Sequence, residues 1–108
     1  MREPGTAIAR CRTELANVHE TLRATTLDAP ALCAAVTEFA GLVEDLAGLA
    51  DELADSARTG PCARAATIGD VTTDLRTTAR HLATAKLLLE PAVDDLGELA
   101  ARPARVPA

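Results

Sequence analysis

Tryptophan and tyrosine are missing from this 108-residue chain, and Phe39 is its entire aromatic content. A surface that holds nucleic-acid bases by stacking them on rings is thereby excluded. Cationic charge is also in deficit. A net charge of −5 and a pI near 4.9 leave little with which to displace counterions from phosphates, so no nucleic-acid partner is expected. No run approaches the roughly 18 apolar residues of a membrane span, and no membrane partner is expected. The opening Met1-Arg2-Glu3-Pro4-Gly5 carries no apolar secretory segment. A cytoplasmic location is the expectation.

Cysteine is scarce and odd in number. Cys11, Cys33 and Cys62 fall in different segments without CxxC spacing, which supports neither a disulfide framework nor a zinc site, so no metal and no cofactor are expected. Cys11 reads as a small core residue and Cys33 as a helix-surface one, while Cys62, beside Gly60-Pro61, reads as the exposed thiol. His19-Glu20 begins like a zinc-binding HExxH helix, but Arg23 stands where the second histidine must be. Neither His19 nor His81 has a carboxylate three residues before it, which removes the di-iron arrangement. Asp70 with Asp74, and Asp94 with Glu98, are one helical turn apart, a spacing common on solvated helix faces. Glycine-rich phosphate loops and nucleophile elbows are absent as well. No catalytic residue is assigned, and a non-enzymatic role is the expectation.

What the chain does contain is apolar rhythm. Ile8, Cys11, Leu15, Val18 and Leu22 step by three and four; so do Leu32, Ala35, Phe39, Leu42, Leu46, Leu49 and Leu53, and then Ile68, Val71, Leu75, Thr78, Leu82, Ala85 and Leu89. Each series is one stripe of a helix. The spacing predicts a first helix from an N-cap at Thr6 to about Thr25, and a second from an N-cap at Asp28 to about Arg58. That second helix should be stopped by a left-handed Gly60 before Pro61. The third should run from Pro61 to Leu89. Beyond Pro91 the stripe keeps its phase through Ala92, Leu96 and Leu99, as a kinked extension of the third helix or as a short fourth helix; the tail is expected to cover Leu87 and Leu88, and if the helix is merely kinked and left projecting the same residues become an oligomer contact. Residues 1–5 and 102–108 should fray.

Connections this short force antiparallel neighbours, so the expected fold is all-α, a single domain over residues 1–108, built as an up-down-up helical bundle. Much of the 48% hydrophobic content is alanine. Such a core is thin, because an alanine contributes far less than the ~1.5 to 3 kcal/mol of a buried leucine, and pairing with a second chain would add burial. The second helix carries one basic and six acidic residues over 31–58; the third carries four basic and two acidic over 61–89, so the two are electrically complementary. Gly41 and Gly48 lie seven residues apart on the polar face of the second helix, where a glycine costs ~1 kcal/mol relative to alanine. They mark a surface for close approach. The first helix is too short to cover the Gly60 end of the hairpin, which leaves Leu49, Leu53, Ile68 and Val71 as contact residues.

Phe39 to Leu75, with its Gly41-Leu42-Val43-Glu44-Asp45-Leu46, Leu53-Ala54 and Ala63-Arg64-Ala65-Ala66-Thr67-Ile68-Gly69-Asp70-Val71 segments, is similar to a group of small actinobacterial helical proteins, some associated with natural-product biosynthesis loci. The arginine and alanine bias fits the GC-rich genomes of that source. In size and hairpin shape the chain also resembles the WXG100 family, without the Trp-x-Gly turn. Neither resemblance brings a mechanism. The expected function is therefore a non-enzymatic interaction or assembly module, a homodimer that self-associates through Gly41, Gly48, Leu49, Leu53, Ile68 and Val71. The alternative is an apolar-metabolite binding protein or small accessory enzyme with a pocket between helices, for which Thr78 would be the internal polar group.

Overall fold

The computed structural model describes residues 3–102. It is all-α: α1 spans Pro4–Ala24, α2 Ala29–Thr59 and α3 Ile68–Ala101, with a 3₁₀ turn at Pro61–Arg64 between the last two. Met1, Arg2 and residues 103–108 lie outside the described residues, and with them most of the expected frayed ends.

Local chemistry explains the boundaries. Asp28 caps α2 as its sequence position predicts, its carboxylate accepting the Ala31 amide at 2.9 Å. Thr6 does not cap α1. Helix α1 starts at Pro4 behind Glu3, and the Thr6 hydroxyl donates to the Glu3 carboxylate at 2.9 Å. Proline is favoured at this position because a first-turn residue has no helical partner for its amide. Gly60 ends α2 in an extended conformation, φ −89° and ψ −170°, instead of the left-handed one, and its amide donates to the Ser56 carbonyl at 2.9 Å. Glycine is still required there, because a Cβ would stand 2.8 Å from that carbonyl oxygen. The Pro61 segment forms the 3₁₀ turn, so α3 begins seven residues later than expected, at Ile68.

Helix α3 runs unbroken through Pro91 to Ala101. Among the described residues there is no separate fourth helix, and nothing folds back over Leu87 and Leu88, which are 60% and 75% exposed. The carbonyl that Pro91 strands belongs to Leu87, on an exposed stretch where water can serve it.

Helices α2 and α3 are antiparallel neighbours along their length. Arg76 pairs with Asp51 and Asp55 while the later Lys86 pairs with the earlier Glu44, which fixes the direction. Helix α1 does not join them at close range: no α1 Cα lies within 8 Å of a Cα in α2 or α3, and none of its residues is buried. Cys11 is accordingly exposed, not a core residue, and Cys33 is half-buried, not on the surface; Cys62 is exposed as expected. The difference has a cause in side-chain size. Helix α2 gives its small face to α3, whereas α1 and α2 oppose Leu15 and Val18 to Leu42, Leu46 and Leu49, and bulky facing residues hold helix axes apart.

The buried core is small in every sense. Among the described residues it consists of Ala40, Val43, Ala50, Ala54 and Ala79. The radius of gyration is 18.8 Å, against about 13 Å for a compact chain of this length.

Candidate interaction edge of the hairpin

The residues of α2 that turn towards α3 are Cys33, Ala40, Ala47 and Ala54 with Val36, Val43, Ala50 and Ala57, all buried or half-buried. Facing them on α3 are Thr72, Ala79, Lys86 and Val93 with Leu75, Leu82, Leu89 and Leu96, again all buried or half-buried. This is a heptad seam of small residues against leucines, the alternation that lets two helices interdigitate. The sequence-based stripe of Leu32, Phe39, Leu46 and Leu53 is not the one in the core. Phe39 is 53% exposed.

In an antiparallel pair the columns flanking the seam gather on two edges, and here the edges differ completely. One edge is ionic. Arg76 donates to Asp51 at 3.1 Å and to Asp55 at 2.5 Å, and Lys86 sits 3.6 Å from Glu44 and 3.5 Å from Glu90. The Arg76 guanidinium is held above its ordinary pKa chiefly by its hydrogen bond to Asp55; desolvation opposes this, and the charge of Asp55 with the hydrogen bond and charge of Asp51 add to the rise. The other edge is apolar. It carries Leu32, Phe39, Leu46 and Leu53 from α2 and, at matching heights, Val71, Thr78, Ala85, Ala92 and Leu99 from α3. All are exposed except the half-buried Ala85. Thr78 adds no free polar group to this edge, since its hydroxyl donates to the Asp74 carbonyl at 2.9 Å.

This geometry divides the residues that the sequence singled out. Leu53 and Val71 share the apolar edge, Ile68 is half-buried at the Gly60 end, and Leu49 faces α1. Gly41 and Gly48 lie instead in register with Asp55 on the ionic side; Gly41 lines a shallow groove there with Glu44, Lys86 and Glu90. A Cβ added at either glycine would meet nothing within 4 Å, so within one chain no close approach explains them. The residues missed were Thr78, Ala85 and Ala92, read as inward-facing or as tail. The signal that identifies them is the charge pattern: once Arg76 and Lys86 are placed opposite Asp51 and Glu44, the remaining flank must be the apolar one.

A second feature lies between α1 and α2. Ile8, Cys11, Leu15 and Val18 face Leu42, Leu46 and Leu49 across a cleft of about 580 Å³, with Arg10, Arg12, Glu14 and Asp45 at its rim. Its lining offers no base paired to a nucleophile. Among the described residues no group of three His, Cys, Asp or Glu side chains is placed to hold a metal ion, and no helix is long and apolar enough to cross a membrane. No family model, no curated protein and no solved structure matches this chain.

Proposed function

We propose that this protein is a non-enzymatic helical assembly module that self-associates through α2, in an aqueous compartment such as the cytoplasm. One observation carries the reading. The chain exposes 8462 Å², whereas a compact protein of 11.2 kDa exposes roughly 5,700 Å². The excess is of the order that partners with an extensive shared interface hide from water. The exposed surface includes leucines and Phe39 at helical spacing, a surface that a monomer rarely leaves open.

Sedimentation velocity over a range of concentrations tests the reading. The wild-type chain is expected to sediment as a dimer, and Phe39→Asp is expected to shift it to monomer while the far-ultraviolet spectrum stays helical. A strict monomer at high concentration would overturn the proposal.

The cleft between α1 and α2 favours a second reading, in which an apolar metabolite lies along Leu15, Val18 and Leu46. Thermal shift against a panel of hydrophobic metabolites separates the two. A ligand that fills the cleft raises the melting temperature with its own concentration, and self-association raises it with protein concentration.

A further inference from the structure

We propose that the apolar edge is closed by a second copy of the chain, in a two-fold dimer whose axis runs along the hairpin, so that α2 of each copy packs on α3 of the other. The inference rests on the self-association reading and adds to it the second element, the pairing and the register.

Shape is the first argument. The α2 column of this edge is large throughout, with Leu32, Phe39, Leu46 and Leu53, while the α3 column is small along its middle, with Thr78, Ala85 and Ala92 between Val71 and Leu99. A two-fold axis along the hairpin sets Phe39, Leu46 and Leu53 of each copy into the small middle of the other's α3 column, twice, as an isologous interface requires. An axis perpendicular to the hairpin would instead press leucine and phenylalanine on their own copies and leave the alanines facing a gap.

Register comes from the ion pairs. Arg76 opposite Asp51 and Asp55, with Lys86 opposite Glu44, puts Leu46 level with Ala85, Phe39 level with Ala92, and Leu53 level with Thr78. Rotation about an axis along the hairpin leaves these heights unchanged. Each pair then meets across the dimer, and all neighbouring helices of the resulting four-helix core are antiparallel.

Charge agrees with this arrangement. The exposed acidic column Glu38, Asp45 and Glu52 lies on α2, and the two α2 helices become diagonal, so these carboxylates do not confront one another. The chain's own α1 is a poorer occupant. Its 21 residues span ~31 Å against ~42 Å for the α3 edge from Val71 to Leu99, and it meets this edge only at Leu46, across the cleft it forms with Leu42 and Leu49. No α1 Cα lies within 8 Å of a Cα in α2 or α3, so α1 swings aside from Leu46 where the second copy seats.

The test uses full-length chains in which Cys11, Cys33 and Cys62 are replaced by alanine and one new thiol is added, Leu46→Cys in one and Ala85→Cys in the other. After mixing, exchange and mild oxidation, a covalent heterodimer is expected from the mixture, with little crosslink from either chain alone. Ala85→Glu in the natural chain is expected to raise the dimer dissociation constant at least about tenfold while helicity is kept. Crosslinking of the Leu46→Cys chain with itself would overturn the pairing, and so would a dimer that neither crosslinks in the mixture nor responds to Ala85→Glu. Both of those results leave self-association standing, whereas a cysteine-free parent that is monomeric at every concentration removes both.

Discussion

Arg76 reaches from α3 across to Asp55 on α2 at 2.5 Å and shares its guanidinium with Asp51 at 3.1 Å. Together with Lys86 it closes one edge of the hairpin electrostatically, and the other edge has no charge of its own. Arg76→Gln should lower the melting temperature at low ionic strength, with the difference shrinking in high salt, because the group is partly exposed and screened. The pKa of Arg76 is raised, so its stabilising charge is fully present below the unfolded-state value and fades only as pH climbs through the folded-state value. Thermal melts should therefore show the wild-type advantage undiminished through neutral and mildly alkaline pH. A loss near neutrality would mean that another group carries it.

The Thr72 hydroxyl is buried in the α2–α3 seam without a hydrogen-bond partner. A buried polar group left unpaired costs about 1 to 3 kcal/mol. Thr72→Val keeps the shape and removes the hydroxyl, so chemical denaturation should show stabilisation of about 1 kcal/mol. No change, or a loss, would indicate that the hydroxyl is satisfied in solution.

Ala54 is fully buried and Ala79 is 3% exposed, and both allow the two helices to approach. Leucine at either place must push the pair apart. Ala54→Leu and Ala79→Leu should each destabilise by about 1 to 3 kcal/mol, read from the midpoint of urea unfolding. Leucine introduced at exposed Ala83 should have little effect by comparison.

Two glycines should respond in opposite directions to the same change. Gly48 has open space around its missing Cβ, so Gly48→Ala should gain up to about 1 kcal/mol of helix stability. Gly60→Ala would place a methyl 2.8 Å from the Ser56 carbonyl oxygen, a backbone atom that cannot step aside, and should lower the melting temperature. Gly48 lies off the apolar edge, so its alanine variant should also leave sedimentation unchanged. Dissociation of Gly48→Ala into monomers would return the interface to the glycine face.

Helix content and the Asp28 and Gly60 boundaries were legible from residue order alone, because caps, prolines and three-four spacing act over one or two turns. Even the pairing of α2 with α3 could be anticipated from their opposite charges. The choice of face could not. Helix α2 has apolar residues over so wide an arc that its leucine column and its alanine columns both qualify as a core stripe.

Tertiary packing decided between them by closeness. Leu75, Leu82 and Leu89 of α3 need shallow opposite positions, and Ala40, Ala47 and Ala54 supply them, so the smaller side chains of α2 went inside and the larger ones stayed out. The same competition kept α1 at a distance, since what α2 had left to offer it was bulky. Local sequence thus made the rods and their ends. Which surfaces touch, and hence which edge is left for a partner, depended on steric fit between segments remote in the chain, and no single stripe encodes that.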